Sequence, residues 1–474
     1  MKKRVITVLL SGMIAMACTI GMNPVESQAQ EKVHTENQIA VQDAEETDDS
    51  VITVSAKNGS DIARELDNAL KEARDTATDS NPVTVKVVAG SYKLSSTLHI
   101  YSNTTLDLTE ITGADSLFEA EGILAESERN AASLYGTAYT FYSCGGSTLC
   151  IQTMLLLMKQ QGRAVLAARN VHRAFLNTCV LLDLPVQWIY PRESDGILSG
   201  TYDLADFEAA LQQQTRPACV YVTSPDYLGR MADIAGLAEL CHRYHAKLLV
   251  DNAHGAHLAF LPWRCHPIQL GADYCCDSAH KMLSGLTGTA YLHVRSDIDV
   301  EPERVRDAMA MFGSTSPSYL MLASLDWCNR ELASPLFRKQ LEEVLDRIQQ
   351  LKCRFSPRYC FVDGDPMHLT IDAAAGGFHG LELAAYLEQH EVFVEYADAF
   401  HVVLLCSAAN TDRDFDILEQ LLERFSPTPT ESGEKYALPR PEKVCGIREA
   451  ALAPQEIVPI GESSGRICAG GDAS

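Results

Sequence analysis

Two charged residues stand directly after apolar runs of the chain. Lys281 follows the run 272–276, and a lysine at a strand end can form a Schiff base with a carbonyl compound. Asp251 follows the run 248–250, where a carboxylate is costly unless it has a cationic partner, such as a protonated pyridine nitrogen. Ala253 leaves room for a flat ring beside that carboxylate. Together they predict a site for pyridoxal 5′-phosphate (PLP), although an isolated lysine is usually a surface charge and an isolated aspartate often caps a helix.

Two upstream segments add contacts that a phosphorylated ring would need. The segment Gly145-Gly146-Ser147-Thr148 opens an apolar helix pattern, so backbone N–H groups and two hydroxyl groups meet at a helix N-terminus, which suits a phosphate. His172 follows the next predicted strand, where its ring can stack on a cofactor. Each signal is weak alone, because glycine-rich turns and structural histidines are common.

The elements that must position these residues alternate between strand and helix patterns. This alternation predicts an α/β fold with a mostly parallel sheet and helices on both faces. Ligands bind at the carboxyl ends of such strands, where the residues above are expected. Helices are predicted at 147–161 and 234–244, and strands at 164–168, 219–223, 247–250, 272–276 and 289–294.

Seven segments between about 109 and 474 resemble the Orn/Lys/Arg decarboxylase family (group III). They read EITGADSLFEAEGILAESE, GGSTLCIQTML, RNVHRA, VTSPDYLGRMADI, LLVDNAHGAH, DSAHKML and GSTSPSYLMLASLD. The resemblance implies PLP fold type I, the aspartate-aminotransferase-like fold, with a small α+β C-terminal domain. It also implies PLP as cofactor and the decarboxylation of arginine, lysine or ornithine to the amine and CO2.

The resemblance also assigns roles to single residues. Lys281 would hold PLP, Asp251 would pair with its pyridine nitrogen and His172 would stack on its ring. Family members are homodimers or larger assemblies, so a serine of the segment 314–316 would reach the phosphate of the neighbouring subunit. The remaining cofactor-binding positions that the resemblance implies are Gly146, Ser147, Thr148, Ala253, His254, Ser278, His280 and Ser316.

Composition limits the classes of partner. The chain has 474 residues, 46% of them hydrophobic, and a formal net charge of -24, which argues against nucleic acid or an anionic membrane as a partner. Of its 15 cysteines, only Cys18 precedes Cys144, and no CxxC pair occurs, so we expect no metal site. Cysteines within apolar runs are typical of a protein from a reducing compartment.

The N-terminus predicts the opposite compartment. Residues 2–4 are basic, 5–22 are apolar, and Ser27-Gln28-Ala29 offers a cleavage site, so residues 1–29 are predicted to be a secretory signal peptide. Cys18 offers a weaker alternative, a lipoprotein site. The acidic segment 30–50 has the composition of a linker. The signal predicts export, whereas the decarboxylase part is of cytoplasmic type.

Residues 51–108 carry a separate pattern of short strands. Strands are predicted at 51–54, 83–88, 91–94, 96–100 and 103–108, and Ser60 is placed to cap a helix that begins at Asp61. The sequence VVAGSYKLSSTLHIYSNTTLDL resembles the N-terminal coil of a right-handed parallel β-helix of the pectate-lyase superfamily. Such a solenoid needs several stacked coils, and further coils do not follow.

The two resemblances together predict a chimera. The family's Met-Pro-Gly-His-Lys-Gly motif does not occur, and the segment from Arg440 resembles only the start of the family's C-terminal domain. We therefore expect a β-helix-like segment joined to a decarboxylase that lacks both ends and turns over poorly. The predicted parts are a signal peptide (1–29), a linker (30–50), a β-helix-like fragment (51–108), a PLP-binding major domain (109–350), a small α+β domain (351–434) and a truncated C-terminal segment (435–474).

Two other functions stay open from the sequence. One is another fold-type-I PLP enzyme, an aminotransferase or a lyase, which product analysis would separate from a decarboxylase. The other is an exported β-helix surface protein with an inert PLP domain, which would bind polysaccharide. The pairing of SAHK with DNAHGAH favours the decarboxylase.

Overall fold

The structure is a computed structural model that describes residues 51–54, 63–76, 83–87, 104–107, 115–195, 198–429, 442–454, 456–459 and 465. The predicted signal peptide and linker lie outside these residues. The chain forms two compact units, residues 1–115 and 116–474. The expected junction at 108/109 falls among residues 108–114, which also lie outside the described part.

The first unit is a small parallel sheet with one helix. Its elements are β1 (Val51–Val54), α1 (Ala63–Thr76), β2 (Val83–Val87) and β3 (Thr104–Asp107), and the strand order is β1-β2-β3. Leu66 and Leu70, one helical turn apart, are buried, as is Val85 of the sheet. The predicted strands at 51–54, 83–88 and 103–108 are confirmed over their described residues, 51–54, 83–87 and 104–107. The predicted helix start at 60–61 and the strands at 91–94 and 96–100 lie outside the described residues. The β-helix assignment stays a prediction.

The second unit is built on a seven-stranded sheet in the order β4-β12-β11-β10-β9-β5-β6. β12 runs in the opposite direction to the other six strands, so its pairings with β4 and β11 are antiparallel and the remaining pairings are parallel. Burial on both faces explains the nearly continuous apolar runs, since every residue of β5, β11 and β12 is buried. The strands are β4 (Tyr139–Ser143), β5 (Ala164–Ala168), β6 (Val186–Ile189), the separate hairpin of β7 (Glu193–Asp195) and β8 (Ser199–Thr201), β9 (Ala218–Thr223), β10 (Lys247–Asp251), β11 (Tyr274–Ser278) and β12 (Ala290–Val294).

Helices cover both faces of this sheet. They are α2 (Ile123–Tyr135), α3 (Gly146–Gln160), α4 (Arg173–Leu182), α5 (Leu204–Gln212), α6 (Ile234–Arg243), a 3₁₀ helix (Ala256–Phe260), α7 (Ala279–Met282), α8 (Pro302–Ala310) and α9 (Tyr319–Ala333). Val165 and Ala167 of β5 pack into a core with α3, α4 and α8, whereas Leu166 and Ala168 pack with α5 and α6. This period of two assigns alternate side chains to opposite faces.

A second, four-stranded sheet follows in the order β13-β14-β16-β15. Its antiparallel strands and helices form the small α+β region expected from the sequence, although the expected boundary at 350/351 falls inside a long helix. The elements are α10 (Pro335–Phe355), β13 (Cys360–Phe361), β14 (His368–Asp372), α11 (Gly380–Gln389), β15 (Tyr396–Ala397), β16 (His401–Leu405) and α12 (Asp412–Arg424). A further helix, α13 (Ile447–Leu452), lies against α4 beside the main sheet, where Arg448 donates to the carbonyl of Val180 over 3.1 Å.

The predicted α/β class with a mostly parallel sheet is confirmed, and the helices and strands predicted between 147 and 294 are present to within two residues at each end. None of the helices in the described part of the chain is both long and apolar enough to cross a membrane.

Candidate active site

A pocket of about 240 Å³ opens at the carboxyl edge of the main sheet. It lies where β5, β9 and β10 end and where α3 and α7 begin, the edge at which parallel α/β sheets bind ligands. The residues that line it are Ser147, Asn170, Val171, His172, Leu198, Thr223, Pro225, Asp226, Tyr227, Asp251, Ala253, His254 and Lys281. Six residues predicted from the sequence are therefore brought together here.

Lys281 lies in the one-turn helix α7, directly after β11. Its Nζ is 2.7 Å from Nε2 of His254. Burial lowers the pKa of the Lys281 amine, while the charge of Asp251 acts in the opposite direction. A lowered pKa increases the fraction of neutral amine, which is the form that attacks a carbonyl group.

Asp251 ends β10 and is 2% exposed. Tyr221 donates a hydrogen bond to Oδ2 over 3.1 Å, and the backbone N–H of Ala253 donates one to Oδ1 over 3.2 Å. The thiol of Cys276 approaches Oδ1 at 3.6 Å. These partners are uncharged, so a buried carboxylate faces the pocket with its charge uncompensated by a bonded cation. This arrangement fits a protonated ring nitrogen.

The pocket wall at the N-terminus of α3 fits a phosphate. α3 begins at Gly146, whose φ of 65° favours glycine and whose N–H donates to the carbonyl of Gly288 over 2.7 Å. The hydroxyl of Ser278 donates to that of Ser147 over 3.1 Å, so both hydroxyls lie at the N-terminus of α3. Thr148 is exposed and is not among the residues that line the pocket.

His172 is the N-cap of α4 and lines the pocket. Its Nδ1 accepts a hydrogen bond from the N–H of Ala174 over 3.1 Å. This bond fixes the orientation of the ring and places the proton of the neutral imidazole on Nε2. A ring held at one angle in the wall is suited to stacking on a flat cofactor.

Of three further sequence-predicted residues, Ala253 lies in the pocket wall, whereas the other two lie outside it. Ala253 lines the pocket without a polar side chain. His280 is partly buried outside the lining, and its Nδ1 lies 2.9 Å from the carbonyl oxygen of Thr289. Ser316 is exposed, and its N–H donates to the hydroxyl of Ser314 over 3.2 Å. Its role at a neighbouring subunit stays a prediction.

The structure adds residues that the sequence reasoning missed. Nδ1 of His254 lies 3.2 Å from Nε2 of His368, which comes from β14 of the small sheet. Asp226 is buried in the pocket wall, and burial raises the pKa of its carboxyl group to about 6. The hydroxyl of Thr223 is buried without a hydrogen-bond partner among the described residues, so a polar ligand group would satisfy it.

A second polar cluster lies away from this pocket. Nε2 of His266 and Nε2 of His293 lie 3.0 and 3.2 Å from Oδ2 of Asp277, and the three residues are types that bind metals. The amide of Asn252 donates to Oδ1 over 2.7 Å, and Nδ1 of His293 meets the hydroxyl of Thr140 at 2.9 Å. The carboxylate is thus satisfied by protein donors.

Comparisons with known proteins agree with this geometry. A family model described as "Orn/Lys/Arg decarboxylase, major domain" matches residues 100–363. An arginine decarboxylase of Bacillus subtilis is 29% identical over 389 residues, which are 77% of this chain and 79% of the relative. An arginine decarboxylase of Halalkalibacterium halodurans is also 29% identical over 389 residues, with 77% and 78% coverage.

Solved structures show the same fold. Lysine decarboxylase A from Pseudomonas aeruginosa has a TM-score of 0.58 at 19% identity, over 66% of this chain and 52% of that one. The constitutive lysine decarboxylase of Escherichia coli has a TM-score of 0.56 at 18% identity, over 65% of this chain and 52% of that one. The chain therefore spans about half the length of these lysine decarboxylases.

Proposed function

Because the chain belongs to the Orn/Lys/Arg decarboxylase family, a family of PLP-dependent amino-acid decarboxylases, we propose that it converts arginine to agmatine and CO2. The observation that carries this proposal is one pocket in which Lys281, Asp251 and the hydroxyl of Ser147 converge. The relatives that match 77% of the chain include several arginine decarboxylases, whereas a lysine decarboxylase of Pseudomonas aeruginosa matches 49%. Lysine and ornithine are the alternative substrates.

Each residue of the pocket has a distinct task. When bound, PLP supplies an aldehyde that combines with amines and a ring that accepts electrons from the bond to the departing carboxyl group. Lys281 would hold it through Nζ, and Asp251 would keep the ring nitrogen protonated. Ser147 and Ser278 would hold the phosphate, and His172 would cover one face of the ring. The protein thereby orients the substrate and limits access of water.

Acidic groups favour a basic substrate. Asp226 lines the pocket, and the charge of Glu395 acts on both Lys281 and Tyr227, which places that exposed carboxylate close to the pocket. A cationic side chain entering from solvent is attracted by this arrangement.

We propose that the working form is a homodimer or a larger homo-oligomer, as in the family it resembles. The exposed segment that contains Ser316 is the expected contribution to the neighbouring active site. Light scattering on the purified chain tests this assembly; a monomer that decarboxylates at full rate would contradict it.

We also propose that residues 1–29 direct export and that residues 51–108 were joined to the decarboxylase by fusion. The described cysteines form no disulfide, which fits the reducing compartment expected for the decarboxylase part. A continuous genomic read across codons 105–112 from an independent isolate would support a natural fusion, and a read that breaks there would identify an assembly artefact.

The test of the function uses the full chain purified with PLP. We expect a visible absorbance band from PLP bound to a protein amine, together with release of CO2 from arginine. Lys281→Ala should lose both. Lys339→Ala, which removes an exposed lysine paired with Glu343, should lose neither. A band that persists in Lys281→Ala would refute the lysine assignment, and a keto-acid product would indicate an aminotransferase.

A further inference from the structure

A continuous hydrogen-bonded chain leads from Lys281 into the small sheet region. Nζ of Lys281 is 2.7 Å from Nε2 of His254, and Nδ1 of His254 is 3.2 Å from Nε2 of His368. Nδ1 of His368 is 2.9 Å from Oδ2 of Asp365, whose Oδ1 is 2.9 Å from Nε2 of His257. The rings of His254 and His368 have centroids 5.4 Å apart and planes within 17° of each other.

The chain is buried along its length. Asp365, His257 and His368 are each 1% exposed, and His254 is 6% exposed. An unpaired polar group at this depth would be costly, so each bond constrains the next. The chain joins distant segments, because His254 follows β10 whereas His368 begins β14, 114 positions later, and Asp365 comes just before it.

The carboxylate at the end of the chain sets the proton positions. Burial alone would raise the pKa of Asp365, but His257 and His368 hold it well below its usual value, so the group is a carboxylate that only accepts hydrogen bonds. In its neutral form, His368 then carries its proton on Nδ1 and accepts at Nε2. His254 in turn must carry its proton on Nδ1, which leaves a lone pair on Nε2 facing Lys281.

We propose that Asp365 and His368 are positioning residues that hold His254 as the proton acceptor for Lys281. The inference rests on the proposed function for the identity of Lys281 as the cofactor lysine. In this step the Lys281 Nζ–H bond breaks and the His254 Nε2–H bond forms. The products are a neutral amine and an imidazolium, whose charge the Asp365 carboxylate compensates through His368.

The groups around His254 have opposing effects on its pKa. Burial, then the charges of Lys281 and His368, and also that of His172, lower the pKa of His254, whereas Asp365 raises it. The remaining neighbour is the ring of Tyr227, with its centroid 5.5 Å from that of His254. Asp365 is therefore the group that makes proton acceptance by His254 less costly.

The test reads the tautomer of His254 by nitrogen NMR, in the PLP-free full chain carrying ¹⁵N-histidine, with the signal assigned from His254→Gln. In the wild type, Nδ1 should be the protonated nitrogen and Nε2 the unprotonated one. A wild-type signal of the opposite tautomer would overturn the proposal without any variant. This readout does not depend on turnover, so it separates the inference from the proposed function.

Variants then show which residues set the tautomer of His254. His368→Gln and Asp365→Asn should each shift the Nε2 signal toward the protonated form and lower kcat roughly tenfold or more with little change in KM. His257→Gln is the matched control, since His257 is equally buried and contacts the same carboxylate but does not lie between Asp365 and Lys281. In this variant the His254 signal should match that of the wild type.

Equal shifts of the His254 signal in His257→Gln and His368→Gln would refute the proposal, as would wild-type signals in both Asp365→Asn and His368→Gln. If one relay variant does not fold, as judged by its circular dichroism, the other and the wild-type signal decide.

Discussion

The molecule contains two buried carboxylates that are each flanked by two histidines. Asp277 lies between His266 and His293, and Asp365 lies between His257 and His368. Both carboxylates are held below their usual pKa by these histidines despite burial, which acts in the opposite direction. By composition, burial and charge the two clusters are nearly equivalent.

The two clusters differ in the groups to which their hydrogen bonds lead. The Asp277 cluster leads to the hydroxyls of Thr140 and Thr137 and packs against the ring of Tyr135, whose centroid is 4.2 Å from that of His293. The Asp365 cluster continues through His254 to Lys281 in the pocket. A perturbed pKa therefore marks both structural and functional clusters, and what separates them is whether the hydrogen-bonded path reaches a reactive atom.

The largest expected effect belongs to the structural cluster. Asp277→Ala should lower the free energy of unfolding by about 3–5 kcal/mol, because it leaves two buried imidazoles without their acceptor. Urea unfolding measures this loss. Asp297→Ala, which removes an exposed carboxylate paired with Arg295, is the control and should cost less than about 1 kcal/mol. A loss no larger than that of the control would mean that the Asp277 cluster does not stabilise the fold.

The effects on kcat should be larger at the Asp365 cluster than at the Asp277 cluster. His254→Gln should lower kcat on the order of 100-fold, because it removes the proton acceptor beside Lys281. His293→Gln should leave kcat within about twofold while lowering stability by roughly 1–3 kcal/mol, since it removes one donor to a buried carboxylate. Steady-state kinetics and thermal melts on both variants test the pair. Equal losses of kcat in the two variants would contradict the inference that only the Asp365 cluster acts on Lys281.

The sequence predicted the part of this contrast that depends on local patterns. Lys281 and Asp251 stand after apolar runs, and Gly146 opens a helix after a strand, so short segments were enough to place them at one sheet edge. His368 was not predicted, because it meets His254 across 114 positions of the chain. Its own segment is a strand with buried side chains, a pattern that gives no sign of a histidine partner elsewhere.

The burial of an acidic side chain was equally hard to predict from the sequence. Asp226 belongs to a family-like segment, but its burial depends on Ser199, whose hydroxyl donates to Oδ2 from the hairpin β7–β8. No spacing in the sequence relates these two residues. The environment of such a group is therefore set by packing between elements rather than by the local pattern.

Asp226 extends the comparison to a buried carboxyl group without a histidine partner. Burial raises its folded pKa to about 6 from an ordinary value of 3.8, while Ser199 and the N–H groups of Arg230 and Leu228 act in the opposite direction. A raised folded pKa gives stability that is fully present below the unfolded pKa and is lost as pH rises through about 6. Asp226→Asn should abolish this loss, because its amide can donate to Ser199 and still accept from the two N–H groups.

The smallest effect is thus a pH-dependent difference in stability. Relative to Asp226→Asn, the wild type should lose roughly 1.4 kcal/mol between pH 5 and pH 8, the equivalent of about one pKa unit. Urea unfolding of both proteins at the two pH values measures it. Ser199→Ala keeps the carboxyl group but removes a donor to it, so its loss should continue to higher pH than that of the wild type. A difference between wild type and Asp226→Asn that stays constant with pH would place Asp226 with Asp277 and Asp365, as a carboxylate that the fold keeps ionised.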